Sequence, residues 1–245
     1  MDKAQLKKEP LGKGVFVKVS KNHTFGTDAI LLANFAKPRK NDRCVDLGSG
    51  CGIIPLLMLR DNPDLITAGV EISEEACFLA EASKDEQNFP NFSIINSDLK
   101  DLKGKIEFGA HTLITCNPPY NASGSGIESK NEREKVARHE IACTLEDIVS
   151  VSSRLLQTSG RLCICLRPER LAELISLMRD YKIEPKKLRF VCKTPDTAPW
   201  LFLIEGKKCA KSGMVVEKSL FINDNSGNFS REMIDIYGSY KEAYL

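Results

Sequence analysis

Apolar residues gather along the chain in seven short runs, and the stretches between the first five runs have the apolar spacing of helices. Apolar strands that alternate with helices predict a mostly parallel sheet with helices on both faces, so the pattern indicates an α/β fold. The predicted strands are residues 44–47, 66–72, 92–96, 112–117, 160–166, 188–193 and 200–205.

Two of the predicted helices begin with clear start signals. Ser73 is followed by two glutamates, and Thr144 is followed three residues later by Asp147, so we expect helices over residues 73–86 and 144–156. The last two strands have no helical pattern between them and are joined by the sequence TPDTAP. This connection predicts an antiparallel hairpin at the edge of a seven-stranded sheet.

A short N-terminal extension, residues 1–42, precedes the first core strand. The stretch GVFVKVS predicts a short strand, and FGTDAILLANFA predicts a helix whose N-cap is Thr27 or Asp28. The extension is too short to be a domain of its own. We therefore expect it to pack on a core formed by residues 43–245, which gives a single domain overall.

Composition narrows the class of protein. The chain has 245 residues, of which 42% are hydrophobic and 28% are charged, as in ordinary soluble globular proteins. No apolar stretch approaches the roughly 18 residues of a membrane span, so we expect a cytoplasmic protein without membrane association. Nine cysteines without a C-x-x-C pair, together with three histidines, predict reduced core thiols and no metal site.

The formal net charge of +2 conceals two basic flanks. Residues 1–25 contain six lysines against two acids, and residues 182–218 contain eight lysines and one arginine against four acids. If these flanks met in space, they would form a rim that attracts phosphate groups. Solvated lysine faces are an equally good explanation of the same charges.

A glycine-rich loop, DLGSGCG, follows the first core strand and leads into an apolar helix. Gly48, Gly50 and Gly52 allow a tight turn and a close approach to a ligand, although a plain turn is the alternative. A dinucleotide site requires a small residue where this chain has Ile53, and Asp46 would repel a pyrophosphate. S-adenosylmethionine, which has an ammonium group, a sulfonium and no phosphate, fits this loop better.

The next two strands also end in acidic residues. Glu71 can accept from both ribose hydroxyls of such a cofactor, and Ile72 beside it is a further predicted contact. Asp98, after the third strand, can accept from the exocyclic amine of adenine while the Leu99 amide reaches the ring. A helix-start acid for Glu71 and an N-cap for Asp98 are the alternatives.

The fourth strand ends in the sequence Asn117-Pro118-Pro119-Tyr120. An amine conjugated to a ring is a poor nucleophile because its lone pair is delocalised. The side-chain carbonyl of Asn117 and the backbone carbonyl of Pro118 can accept from its two N–H groups, and the prolines hold the chain extended. Tyr120 offers a ring for stacking. Asn117 also lies where we expect the cofactor, and a plain turn is the alternative.

These four motifs together resemble the class I S-adenosylmethionine-dependent methyltransferases that act on amino nitrogens, a family with a Rossmann-like sheet. FGTDAILL and KNEREKVARHE further resemble the bacterial family that methylates N6 of the adenine at anticodon-loop position 37 of a valine tRNA. We expect a monomer. The resemblance implies tRNA as partner and Thr27 near the methionine end of the cofactor. It also implies four residues on the substrate side: Lys130, Arg133, Arg138 and His139.

Two regions remain open to more than one interpretation. Residues 121–140 change from a Gly/Ser-rich stretch to a charged one, which is typical either of a lid over a flipped-out base or of a solvated helix. If the chain binds tRNA, Lys207, Lys208 and Lys211 are expected to contact its phosphates.

Related enzymes with the same core methylate a glutamine of release factors or N2 of a guanine in rRNA. The former usually carry a helical domain ahead of the core, and the latter often duplicate it. DNA adenine methyltransferases usually carry an additional recognition domain. An RNA-binding protein without activity is also possible, although Asp46, Glu71 and Asn117 together favour catalysis.

Overall fold

The structure is a computed structural model that describes residues 6–118 and 143–238. Its strands are β1 (Lys7–Gly12), β2 (Val15–Val19), β3 (Arg43–Leu47), β4 (Ile66–Glu71), β5 (Phe92–Asn96), β6 (His111–Cys116), β7 (Leu156–Leu166), β8 (Ile183–Cys192), β9 (Pro199–Lys208), β10 (Val215–Val216) and β11 (Leu220–Phe221). Its helices are α1 (Thr27–Ala36), α2 (Ile53–Asp61), α3 (Glu74–Gln87), α4 (Leu145–Leu155), α5 (Leu171–Asp180) and α6 (Arg231–Tyr237).

All seven predicted strands are present in one sheet, in the order β10-β8-β9-β7-β6-β3-β4-β5. The strands from β7 to β5 pair in parallel, whereas β9 is antiparallel to both β7 and β8. The α/β fold and the antiparallel hairpin are therefore confirmed. Two strands of two residues, β10 and β11, pair with the outer side of β8 and were too short to give an apolar run.

The sheet separates two hydrophobic cores because successive residues of a strand point to opposite faces. On β7, Cys163 and Cys165 join the core beneath α1 and α2, while Ile164 and Leu166 join the core beneath α4 and α5. The two cysteines are fully buried thiols, as predicted for small apolar residues in a strand. Burial raises the pKa of the neighbouring Cys44 thiol to about 12, so it stays protonated.

Two predicted helix starts are confirmed and one is wrong. The Ser73 side chain accepts from the third residue of α3, and Thr144 forms a capping box with Asp147 at the start of α4. The N-cap of α1 is Gly26, which has no side-chain cap, and not Thr27 or Asp28. Both side chains have partners far away in the sequence: the Thr27 hydroxyl bonds to that of Tyr237, and the Asp28 carboxylate accepts from Asn117.

The N-terminal extension contains the predicted strand and helix, together with one strand that the pattern did not indicate. The predicted strand is β2, and the charged segment of β1 pairs with it to form an antiparallel hairpin. This hairpin packs on α3, where Ser83 Oγ accepts from Lys18 N across 2.8 Å and Gln87 bonds to both the N–H and the carbonyl of Phe16. The extension is thus bonded to α3 through β2.

The two basic flanks lie at opposite ends of the sheet, so the rim that would require them to meet is not formed. Near β5, Lys8 and Lys18 both pair with Glu86 of α3. The second flank forms the β8–β9 end. There Lys208 Nζ donates to two backbone carbonyls, those of Ser153 at 2.6 Å and Leu156 at 2.7 Å. That lysine therefore stabilises the end of α4.

Candidate active site

A cavity of about 790 Å³ opens at the carboxyl ends of the parallel strands, where open α/β sheets bind ligands. Most of the predicted cofactor residues line it: Gly48, Gly50, Glu71, Ile72, Asp98, Leu99 and Asn117. Pro118, a predicted catalytic residue, lines it as well. The structure thus brings four strand ends to one cavity. Thr27, Asp46 and Gly52, which were also predicted to contact the cofactor, are not part of the lining.

The glycine loop uses its backbone donors within the protein. The amides of Gly48 and Ser49 both donate to the Val70 carbonyl, at 2.9 and 3.0 Å, and the amide of Gly50 donates to Glu71 Oε2 at 2.8 Å. A phosphate cradle requires such amides to point at the ligand. The loop therefore offers close approach rather than N–H donors, which suits a ligand without phosphates.

The three glycines of the loop differ in what surrounds them, although all have a positive φ of 55° to 82°. A Cβ at Gly48 or Gly50 would meet no atom within 4 Å. A Cβ at Gly52 would lie 3.1 Å from Ala80 Cβ and 3.2 Å from Phe92 Cζ. Gly48 and Gly50 thus keep the cavity side of the loop open, whereas Gly52 allows the loop to pack on α3 and β5.

Glu71 connects the glycine loop to the start of α3. Its Oε2 accepts from the Gly50 amide, its Oε1 accepts from the Ser73 amide at 2.8 Å, and the residue is 8% exposed. Each carboxylate oxygen can accept more than one hydrogen bond, so Glu71 keeps the capacity to bind two ribose hydroxyls. The alternative of a helix-start acid is correct in part, because one of its bonds is made to Ser73, the N-cap of α3.

Asp46, which precedes the glycines of the loop, is buried and does not line the cavity. It is 3% exposed, and its Oδ1 accepts from the Thr115 hydroxyl at 2.7 Å. Its Oδ2 is buried and has no hydrogen-bond partner in the part of the chain that the structure describes. Burial raises the pKa of Asp46 to about 7, although the Thr115 and Ser49 hydroxyls oppose this effect, and the negative charge of Glu71 adds to it.

The residues that follow β4 and β5 line one part of the cavity. Asp98 Oδ1 accepts from the Lys100 amide at 2.9 Å within a turn, so Asp98 is not the N-cap of a helix, and its side chain remains 34% exposed. Ile72, which also lines the cavity, is 50% exposed.

Sequence reasoning missed the connection between β2 and α1. Asn22, His23 and Thr24 line the cavity, and His23 Nε2 lies 3.2 Å from Ser73 Oγ. This connection therefore covers the cavity beside the start of α3. The only signal in the sequence is a polar stretch, KNHT, between a strand and a helix, and such stretches are common in loops.

Asn117 is held on two sides at the end of β6. Its Nδ2 donates to Asp28 Oδ2 at 3.0 Å, and its Oδ1 accepts from the Cys165 thiol at 3.0 Å. The remaining predicted residues of the acceptor side lie outside the described residues: Pro119, Tyr120, Lys130, Arg133, Arg138 and His139. From Asn117 the cavity continues along α4 and α5, where Thr144, Ile148 and Arg170 line it.

The groups that face the cavity fit S-adenosylmethionine. Glu71, Asp98 and the Asn117 carbonyl are acceptors, and the cofactor presents donors in its ammonium group, its ribose hydroxyls and its exocyclic amine. Within residues 6–118 and 143–238, no cluster of three or more His, Cys, Asp and Glu side chains is placed to hold a metal ion. Over the same residues, no helix has the length and apolar character needed to cross a membrane.

Comparison with known proteins identifies the family of the chain. The methyltransferase small domain family matches residues 12–181. A protein of Parabacteroides distasonis named tRNA1(Val) (adenine(37)-N6)-methyltransferase is 28% identical over 181 residues, which cover 74% of this chain and 75% of that protein. A protein of the same name from Porphyromonas gingivalis is 28% identical over 221 residues, with 85% of each chain covered.

Solved structures share the fold at low sequence identity. A structure described as a predicted O-methyltransferase of Agrobacterium tumefaciens has a TM-score of 0.72 and 18% identity, covering 87% of this chain and 96% of its own. Geranyl diphosphate C-methyltransferase of Streptomyces coelicolor, solved with S-adenosyl-L-homocysteine, has a TM-score of 0.55 and 17% identity, covering 74% and 80%. The chain thus belongs to the methyltransferase small domain family and is an S-adenosylmethionine-dependent methyltransferase.

Proposed function

We propose that the protein methylates the exocyclic N6 amine of an adenine in tRNA, at anticodon-loop position 37 of a valine tRNA. The observation that carries the proposal is the position of Asn117 and Pro118, which line the same cavity as Glu71 and Asp98. β6 pairs directly with β3, so the acceptor groups stand beside the glycine loop. The names of the relatives supply the tRNA, the base and its position.

The chain contributes acceptors for the amine. The bound cofactor supplies an electrophilic methyl group. Asn117 Oδ1 and the Pro118 carbonyl accept from the two N–H groups of the amine, which favours a pyramidal nitrogen and keeps its lone pair available for attack. The nitrogen becomes cationic when it gains the methyl group and then loses a proton to water. A strong general base is therefore unnecessary.

Glu71 and Asp98 bind the cofactor in this proposal. Glu71 accepts from the ribose hydroxyls, Asp98 accepts from the adenine amine, and Ile72 packs against the ring. The amides of Gly48, Ser49 and Gly50 donate to acceptors within the protein. This supports the assignment, because recognition of the cofactor then falls to the acidic side chains.

The test is methyl transfer from labelled cofactor to separate pools of tRNA, rRNA, DNA and release factor, followed by nucleoside mass spectrometry. We expect N6-methyladenosine in tRNA alone. A valine tRNA transcript with guanine at position 37 is the matched control and should accept no label. Label in rRNA guanine or in a release-factor glutamine would overturn the proposed substrate. Asn117→Ala should remove all but a small residual rate of transfer while the dissociation constant of the cofactor stays nearly unchanged.

A further inference from the structure

Asp28, in the first turn of α1, determines which way the amide of Asn117 points. The two residues are 89 positions apart, and Asn117 Nδ2 donates to Asp28 Oδ2 at 3.0 Å. An amide has a donor end and an acceptor end, whereas a carboxylate only accepts. The NH2 end must therefore face Asp28. The carbonyl end faces the other way, where the Cys165 thiol donates to it.

The residue before this turn leaves room for the carboxylate. Gly26 has φ −109° and ψ 176°, an extended conformation that any residue can adopt. A glycine is needed at this position for lack of room instead, because a Cβ would lie 2.5 Å from Asp28 Oδ1. Any other residue at position 26 would push the Asp28 carboxylate away from its place.

The helix that carries Asp28 is anchored at both ends. The Thr27 hydroxyl lies 3.1 Å from the Tyr237 hydroxyl of α6, and Arg161 Nη1 donates to the Ala36 carbonyl at 2.8 Å. The inner side of α1 is buried, including Leu31 and Leu32. A side chain on such an element holds its partner more firmly than one on a loop.

We infer that Asp28 is a positioning residue for methyl transfer, which directs Asn117 Oδ1 toward the acceptor amine. This inference rests on the proposed role of Asn117. With the amide reversed, its NH2 group would face the N–H groups of the amine and could not accept from them. The hydrogen bond to a carboxylate also draws negative charge toward Oδ1, because hydrogen bonds in a chain polarise one another. A carbonyl oxygen can accept twice, so the Cys165 thiol and an amine can both reach it.

The test compares kcat, KM and cofactor affinity for variants of Asp28. Asp28→Ala should lower kcat for tRNA by about 100-fold, the usual loss for one preorganised polar group, with cofactor affinity within about twofold. Asp28→Asn keeps the shape but can face Asn117 with either end, so we expect a loss of about tenfold. Adding Asp28→Ala to Asn117→Ala should change the residual rate by less than about twofold, because the two substitutions remove the same function.

A second variant moves the carboxylate without deleting it. Gly26→Ala should lower kcat in the same direction as Asp28→Ala. Asn34→Ala, an exposed change on the same helix, should leave kcat unchanged. Wild-type kcat in Asp28→Ala, additive losses in the double variant, or an effect confined to cofactor affinity or melting temperature would each refute the positioning role. Full activity of Asn117→Ala would instead refute the proposed function itself.

Discussion

The backbone amide of Gly50 donates to Oε2 of Glu71 across 2.8 Å, and this bond joins the glycine loop to the end of the neighbouring strand. The other oxygen of Glu71 accepts from the Ser73 amide at 2.8 Å. One carboxylate therefore fixes the loop and the start of α3 at the same time. A change at Glu71 must affect both the shape of the cavity and the stability of the fold.

We expect Glu71→Ala to raise the cofactor dissociation constant and to lower the free energy of unfolding by about 1–3 kcal/mol, because two amides lose their acceptor. Isothermal titration calorimetry and urea unfolding measure the two effects. Glu74→Ala, which removes an exposed acid in the first turn of α3, is the matched control and should change neither. Unchanged cofactor binding in Glu71→Ala would reject the ribose contact.

Gly50 and Gly52 provide a pair of variants that separates binding from folding. Both have positive φ, so alanine at either position costs about 1–2 kcal/mol of backbone strain. Only at Gly52 does the added methyl group meet the packed atoms of Ala80 and Phe92. We expect Gly52→Ala to have the lower free energy of unfolding in urea. For Gly50→Ala we expect the larger loss of cofactor affinity for a given loss of unfolding free energy. The reverse order would contradict the assignment of the two glycines.

The sequence predicted the features that depend on short-range rules. Apolar runs indicated the seven long strands, and the pairs of Ser73 and Thr144 with later residues indicated two helix starts. The four motifs at strand ends indicated one cavity, because the carboxyl ends of parallel strands lie at one edge of a sheet. These predictions needed no knowledge of distant contacts.

The remaining features depend on partners far apart in the sequence. Asp28 matches the N-cap preference for short polar residues, but its carboxylate is used by Asn117, 89 positions away. Asp46 matches a ligand-contact pattern, yet its side chain is buried, accepts from the Thr115 hydroxyl and does not line the cavity. Local rules cannot decide between two uses of the same side chain when the competing partner is brought in by the fold.

The buried carboxyl of Asp46 should make stability depend on pH. Its pKa is raised from 3.8 to about 7, so between pH 4 and pH 7 the unfolded chain loses the proton while the folded chain keeps it. Stability is therefore lost as the pH rises through this window and is constant above it. Relative to Asp46→Asn, the wild type should lose roughly 4 kcal/mol of unfolding free energy between pH 4 and pH 8. Urea unfolding at several pH values measures this difference.

Asp61→Asn is the control variant for that experiment, because the pKa of Asp61 is lowered whereas the pKa of Asp46 is raised. Partial burial alone would raise the pKa of Asp61, but hydrogen bonds from Arg60 and Lys13 outweigh it and lower the pKa. Its contribution to stability is present above pH 3.8 and is lost as the pH falls. If Asp46→Asn and the wild type change in parallel from pH 4 to pH 8, the carboxyl is ionised in the folded protein.

Charge reversals can locate the surface that binds tRNA. Lys207 lies opposite Arg161 in the β7–β9 register, toward the amino ends of the parallel strands, whereas the cavity is at their carboxyl ends. In place of the phosphate contacts expected from the sequence, we therefore expect Lys207→Glu and Lys211→Glu to leave tRNA affinity unchanged. Arg133→Glu and Arg138→Glu, at positions that the family resemblance assigns to the substrate, should each weaken binding and reduce the slope of log Kd against log salt by about one. Filter binding over a salt series compares them. If the lysine variants instead reduce the slope, the tRNA extends to the amino ends of the parallel strands.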